Sequence, residues 1–570
     1  MKLTYLAAAI IVPAFLIGQS SLNVTGRISF RTLQNSYKEN SDIKPDSIPD
    51  KDYAKTFIVP GLEQRLNMAV FARTPKLDLT FLSDIRNNQW DQLNSINRIE
   101  RLTLSARFDR NEIVLGDFFD SGSEFFVQSR EVRGVKADLR FSNLWNRSSY
   151  LQTKITGGQV QRPYGIGARL PVLYHQYENA GQYRRWFTSA LVRLADEQRF
   201  DIALKYLYAA DDTASVNEAL NEPLTNQTAG MSGSLYLWEK HIQLFAEGYL
   251  SKKDTLSAKN ISDHAYKGGF DFRYEQFKLL AYYQRLGYDY YSAGYPFLQN
   301  DRQGFKFVSA FRVPQIITFS VDGEQYDDNL GDDASRPVTT ARLAETGFTT
   351  HFKNLPELTL KWRYRDDNSN TILDTIKTDK ISRGLEAGLS YGFDSHRFSL
   401  STYLIDLDDR SVLSAGSPLG TSQFIASFNF YTRPAAGLFI SGGSVLSTLE
   451  LTNKQENRNM YNYLSGRWDL MNRKLKLEWS LSYTLNDAEN GGNQDLVSNY
   501  NQLGSEFSIE YFFTNNVSAK LIGGNDRRSM AFSMAEALEV IADPDYGPLF
   551  FNGYEDYDNL KYGMELNWIF

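Results

Sequence analysis

Apolar and polar residues alternate with a period of two through nearly all of this 570-residue chain. The last eleven residues, LKYGMELNWIF, show it most plainly. Leu560, Tyr562, Met564, Leu566, Trp568 and Phe570 occupy every second position, with Lys561, Gly563, Glu565 and Asn567 between them. Such a period sends the two sets of side chains to opposite faces of a β-strand. The pattern recurs in Leu102–Phe108, Phe200–Tyr208, Ile242–Leu250, Phe305–Phe311, Leu358–Tyr364 and Leu475–Tyr483. Strict alternation over roughly ten residues predicts about 26 strands, uncertain by two (24–26), of a length that suits tilted membrane strands.

The connections constrain the architecture further. Short links fall at 74–75, 109–110, 239, 275–276, 313–314, 354–355, 394–395, 433–434, 471–472 and 514–515. Longer polar segments lie between them, at 34–62, 160–182, 210–226, 252–263, 289–301, 328–339, 367–380, 408–419, 486–500 and 525–559. A soluble sandwich or propeller has no reason to keep short and long connections in phase. A transmembrane antiparallel barrel does, with short periplasmic turns, long extracellular loops and an even strand count. The predicted fold is therefore all-β, a single transmembrane barrel with both termini at the short-turn side. Periodicity is least clean over 111–160. The aromatic terminus resembles the signal that bacterial outer-membrane barrels present to their insertion machinery. That resemblance assigns an assembly role to Tyr562, Leu566, Trp568 and Phe570, and outer-membrane lipid and the insertion machinery as partners.

At the other end, Lys2 precedes an apolar run from Leu6 to Ile17 broken by Pro13, with Gly18 and Ser20 placed for cleavage before Ser21. This is the layout of a secretory signal peptide, and the run is shorter than a spanning helix requires. The expected division is a signal peptide over 1–20 and an outer-membrane barrel over 21–570. A mean hydropathy of −0.42 does not oppose it, because a barrel turns only alternate residues toward lipid.

Several function classes are disfavoured. With no cysteine there is no thiolate metal site, and a net charge of −7 argues against nucleic acid as a partner. Five histidines, with no GxSxG, HExxH or P-loop motif, leave no convincing catalytic site. No enzyme activity, cofactor or metal is expected. Acidic loops holding Asp327, Asp328, Asp332 and Asp333, or Asp366, Asp367 and Asp374, offer oxygen ligands, but without EF-hand spacing they read as solvated loops.

Between the lipid-facing residues sit Arg101, Arg107, Lys136, Arg140, Lys205, Lys306, Arg312, Lys361, Arg363, Arg365 and Arg467, sharing a side with Asp138, Glu386, Glu506, Glu510 and Glu565. They are candidate lumen-lining residues of a pore that favours anionic or polar solutes, or simply the salt-bridged interior of a wide barrel. A plug is expected from the loop 525–559, where Met530, Met534, Leu538 and Ile541 have helical spacing over 528–542 and Pro544 follows as a stop. Tyrosine-rich segments at 288–297 and 545–558 either stack on sugar rings or pack as loops.

The segment VLGDFFDSGSEFF, followed by VRGVKADLRF, resembles part of the barrel of fimbrial ushers through Leu115, Gly116, Asp117, Phe125, Arg133, Gly134 and Val135. The likeness covers about 30 residues. It implies a large secretion-type barrel, without the periplasmic and plug domains that ushers carry. Two functions stay open: a channel that passes polar solutes or exports a polymer, and a structural or adhesion barrel whose aromatic loops bind a partner protein or glycan. The lack of a TonB box or an N-terminal plug segment disfavours TonB-dependent uptake.

Overall fold

The computed structural model describes residues 22–39, 61–88, 99–163, 181–217, 219, 221–333, 335–371, 377–411, 419–451, 456–489, 499–530 and 557–570. Its strands are β1 (Asn23–Glu39), β2 (Gly61–Arg73), β3 (Asp78–Asn88), β4 (Ile99–Phe108), β5 (Asn111–Asp120), β6 (Arg130–Ser142), β7 (Ser149–Gln161), β8 (Arg184–Asp196) and β9 (Phe200–Asp212). Then come β10 (Thr225–Leu237), β11 (Ile242–Asp254), β12 (Ile261–Tyr274), β13 (Phe277–Leu286), β14 (Arg302–Val313), β15 (Ile317–Asp327), β16 (Thr339–Thr350), β17 (Glu357–Ser369) and β18 (Asp379–Phe393). The last are β19 (His396–Asp409), β20 (Leu419–Ala435), β21 (Leu438–Leu451), β22 (Glu456–Leu470), β23 (Leu475–Glu489), β24 (Tyr500–Phe512), β25 (Val517–Met530) and β26 (Tyr557–Ile569).

All 26 strands belong to one sheet, each pairing antiparallel with its sequence neighbours. The sheet closes where β1 meets β26, in continuous register from Arg27↔Ile569 to Glu39↔Tyr557. Closure leaves no edge, which is the only way a sheet can satisfy its backbone groups in lipid. The terminal residue extends the seam: Phe570 N–H donates to the Gly26 carbonyl at 3.0 Å, and Gly26 N–H to that of Phe570 at 2.8 Å.

Connections after even-numbered strands are short. Three of the two-residue connections, Asp109-Arg110, Glu275-Gln276 and Asp394-Ser395, begin with an acidic residue at φ of 47–52°, and in the fourth, Ala436-Gly437, the glycine has φ of 76°. Positive φ gives hairpin turns the twist that matches their strands. The longer connections follow odd-numbered strands and gather at the opposite end. The structure adds one inside the region of unclear periodicity, 121–129 between β5 and β6.

Register carries a single inward face around the barrel. Arg31 lies opposite Arg65 in β2 and Glu565 in β26, Lys205 opposite Leu191 and Gly230, and Lys361 opposite Gly347 and Glu386. The other face presents Leu104, Leu115, Leu204, Phe305, Leu521 and Trp568, all exposed. A largely apolar exterior on a closed barrel is the surface that a bilayer covers.

The usher-like residues mark a break in the wall. The β4–β5 ladder is only six pairs long and ends at Thr103↔Gly116, whereas β5 continues beside β6 to Asp120↔Arg130. Gly116 has φ of +98°, and a Cβ there would stand 1.9 Å from the Leu102 carbonyl oxygen. Asp117 stitches the break. Its carboxylate accepts Leu102 N–H at 2.7 Å and Arg133 Nε at 2.5 Å, while its carbonyl accepts the Thr103 hydroxyl. Gly134 then lets β6 approach β7 closely, since a Cβ there would meet the Gly157 oxygen at 2.0 Å.

Gly116→Ala should therefore destabilise the folded barrel by about 1–3 kcal/mol, the usual cost of a strained backbone conformation. Gly523→Ala, where a Cβ meets nothing within 4 Å, should be neutral. The midpoint of heat-modifiability on gels measures both, and equal midpoints would show that the glycine at the break is dispensable.

Candidate functional site

The buried core of this barrel lies inside its lumen. The loop 121–129 leaves β5, turns inward and docks on the wall. Ser123 sets the turn: its carbonyl accepts Phe126 and Val127 N–H, and its hydroxyl accepts Phe125 N–H. Gly122 N–H closes the turn on the Val127 carbonyl at 2.7 Å. Phe125, Phe126 and Val127 are thereby pressed against Val114, Phe118, Val132, Phe187, Leu207 and Tyr249. Phe126 stacks on Tyr249 with ring centroids 5.9 Å apart, and Phe125 meets the same ring edge-on. Burying each such ring is worth about 1.5–3 kcal/mol.

A second inward loop, 287–301 between β13 and β14, completes the cluster. Val127 and Gly294 form a parallel bridge. The Tyr290 hydroxyl donates to the Phe125 carbonyl at 2.6 Å, and that of Ser292 to the Phe126 carbonyl at 2.5 Å. Only glycine fits at 294, because a Cβ would lie 2.3 Å from the Phe126 oxygen. The wall receives this loop through Asn226, fully buried on β10. Its amide nitrogen donates to the Tyr291 carbonyl at 3.1 Å, and its side-chain oxygen accepts Ala293 N–H at 2.9 Å. Burial pushes both phenols upward from their ordinary range, Tyr291 despite the cations of Arg185 and Arg130 nearby.

A charged collar surrounds the docked loops. Glu247 accepts from Ser123 and Tyr249, and Lys205 donates to the Tyr249 hydroxyl at 2.6 Å. Lys267 pairs with Glu124 at 3.4 Å, and Lys154 with Asp120. Arg185 grips Asp211 through two nitrogens and reaches the Tyr291 hydroxyl at 3.3 Å. Polar groups buried in this way hold geometry because each leaves a costly unmet partner if it moves. The two loops thus pack as one unit against the arc β5 to β13.

The eleven basic residues singled out from sequence all lie on the inward face, spread around the circumference, and most are answered by a neighbour. Arg107 and Lys136 share Glu112, at 2.8 and 2.7 Å. Arg140 binds Glu197 in the β8–β9 turn at 2.5 Å, which holds that carboxyl below its usual range. Lys306 meets Glu324, Lys361 meets Glu386, Arg363 meets Glu345, Arg365 meets Asp367 and Arg467 meets Asp469. Arg101 donates to Thr103 at 3.2 Å. Arg312 is exposed at the short-turn end of β14. The structure does not gather these residues into one basic stretch.

Other expectations meet the structure unevenly. The helix placed over 528–542 is corrected at its start: Arg528, Ser529 and Met530 belong to β25 and pair with Gln502, Asn501 and Tyr500. The ladder with β24 satisfies their backbone groups before any helical turn begins. Met534, Leu538 and Ile541 lie outside the described residues. In the first tyrosine-rich loop Tyr290 is buried, while Tyr288 and Phe297 are exposed, Phe297 at 82%. Tyr557, from the second, is buried and donates to Asp526 at 3.1 Å. In the acidic loop Asp328 accepts Thr339 N–H and Asp333 accepts Ser335 N–H; Asp374 lies outside the described residues. Tyr562, Leu566 and Trp568 stand on the outward face, and the Phe570 ring packs 4.9 Å from that of Trp568. The inward loop 121–129 escaped the sequence pattern because it places apolar residues side by side. The adjacent pairs Phe118-Phe119 and Phe125-Phe126, flanking a Ser-Gly-Ser, were the available signal.

No known family's sequence pattern matches this chain, and no curated protein matches it. Among solved structures it is similar to the siderophore receptor PirA from Pseudomonas aeruginosa, at 9% identity over 97% of this chain and 81% of that one, with a TM-score of 0.43. The copper transporter OprC is similar at 8% identity with the same coverage and a TM-score of 0.44. Pseudomonas aeruginosa OprD covers 65% of this chain and 95% of its own at 9% identity, with a TM-score of 0.28. Likeness at this level leaves the activity to be argued from the chain itself.

Phe126→Ala should undock the loop and leave the barrel standing. A truncation of this size costs about 3–5 kcal/mol in a packed core. Here the loss falls on the loop, whose strands stay paired. Limited trypsin digestion should newly cut after Arg130 while heat-modifiability is unchanged. Resistance of the variant to trypsin would show that the ring does not hold the loop.

Proposed function

We propose that the chain is a bacterial outer-membrane channel for polar solutes, its lumen narrowed by the paired loops 121–129 and 287–301. The observation that carries this reading is the placement of the buried apolar cluster: it sits within the barrel and is built from two connections folded against the inner wall. Wide barrels leave an aqueous channel unless something fills it, and 22-stranded transporters are plugged. Among the described residues the filling lies along one arc, and the wall beyond it carries ion pairs such as Lys306–Glu324, Lys361–Glu386 and Arg363–Glu345. Those ion pairs support passage of polar solutes. The apolar exterior supports insertion in a bilayer, with the short turns on the periplasmic side and the long loops outside. An N-terminal signal peptide over 1–20 fits that route.

Replacing residues 121–129 and 287–301 together with short Gly-Ser linkers should raise single-channel conductance of the purified protein in planar bilayers. A variant that inserts normally and conducts like the parent would remove these loops as the constriction. Orientation is checked separately in whole cells. An impermeant maleimide should label Asp332→Cys, in the β15–β16 loop, and spare Asp109→Cys, in the β4–β5 turn.

A further inference from the structure

The inner wall beside the closing seam holds an arrangement that ion pairing does not balance. Arg31 lies directly opposite Arg65 across β1 and β2, and Arg65 directly opposite Arg86 across β2 and β3. Like charges in directly opposed positions repel. Most of these guanidiniums are answered. Arg65 donates to Asp84 at 2.9 Å, Arg86 to Glu63 at 2.9 Å, and Arg27 to Asn567 at 2.8 Å with Glu565 3.5 Å away. Arg31 is not. Its Nε is buried without a hydrogen-bond partner, and among the described residues its guanidinium forms no ion pair.

Arg31 borders a pocket of about 440 Å³ that opens to the lumen and is lined by Arg27, Arg31, Arg65, Arg101, Asp84 and Glu565 among others. Four guanidiniums face two carboxylates there, an excess of two positive charges. The volume is in the range of small-molecule sites. Guanidinium groups match carboxylate and phosphate oxygens through paired, charge-assisted hydrogen bonds. We propose that this pocket binds a small dianionic solute, a dicarboxylate or hydrogen phosphate, whose oxygens supply the partner that Arg31 lacks. The site rests on the channel reading in that the solute reaches it from the lumen. It also accounts for a like-charge row in a wall where many other cations, such as Lys306, Lys361 and Arg363, are ion-paired.

The test is isothermal titration calorimetry of the full-length protein in detergent, with succinate and with inorganic phosphate as probes. At least one probe should bind saturably with a Kd below about 1 mM, more weakly as salt rises. Arg31→Gln should weaken that binding at least about tenfold, as loss of a charge-assisted contact does. Glu565→Gln, which removes a competing carboxylate, should tighten it. Arg31→Gln relieves repulsion, so its heat-modifiability should equal or exceed the parent's, separating lost binding from lost fold. Absence of saturable binding for both probes, or equal binding by Arg31→Gln, overturns the site. Conductance is read independently: a sealed barrel that still binds through Arg31 keeps this inference and removes the channel reading, whereas a conducting barrel that binds neither probe does the reverse.

Discussion

The pairing of β1 with β26 is the contact on which the rest of this structure depends. In lipid, an unpaired backbone N–H or C=O has no water to turn to, so an open sheet of any length would fail at its two edges. Closure removes both edges at once. It also makes the last strand as necessary as any other, and Phe570 extends the seam by exchanging backbone bonds with Gly26. The break between β4 and β5 shows how strictly the same requirement is met elsewhere. Where the ladder stops at Gly116, the Asp117 carboxylate takes the Leu102 N–H that no strand receives.

Closing so many strands creates a second problem, an interior too wide for side chains to fill. Small barrels solve it with their own inward residues. Here the answer is asymmetric. Among the described residues, two loops carry rings into the lumen and bury them against the arc from β5 to β13, while the inward face of the opposite strands carries charges of both signs. The apolar core normally expected between layers of a soluble domain is thus displaced onto one side of a hydrated channel. The docked loops are held by both kinds of interaction: rings such as Phe125 and Phe126 supply the burial, and Asn226, Ser292 and Tyr290 fix the backbone in place.

Strand existence, their number and the two faces were legible from residues alone, because a period of two maps directly onto inside and outside. The stretch Leu102–Phe108 shows this: its apolar members face outward and its arginines inward, as alternation requires. The alternation of short and long connections was equally readable, since turn residues such as Asp109 and Asp394 mark hairpins by their chemistry. Reading failed where alternation failed. The loop 121–129 was hidden in a region of adjacent aromatics, and the segment assigned to a helix from 528 begins as strand because β24 offers Arg528 to Met530 a ladder that local spacing cannot reveal.

By itself, then, the sequence determined a closed antiparallel wall with an apolar exterior and a charged interior, properties that depend on each residue's own position in a strand. Tertiary structure decided what those properties amount to inside the lumen. Which loop turns inward depends on a wall patch assembled from strands up to about 160 residues away. Whether a cation is paired depends on register across neighbouring strands, which brought Glu324 to Lys306 and brought Arg65, another cation, to Arg31. Both outcomes are relations between distant segments, and a one-dimensional pattern contains no term for them.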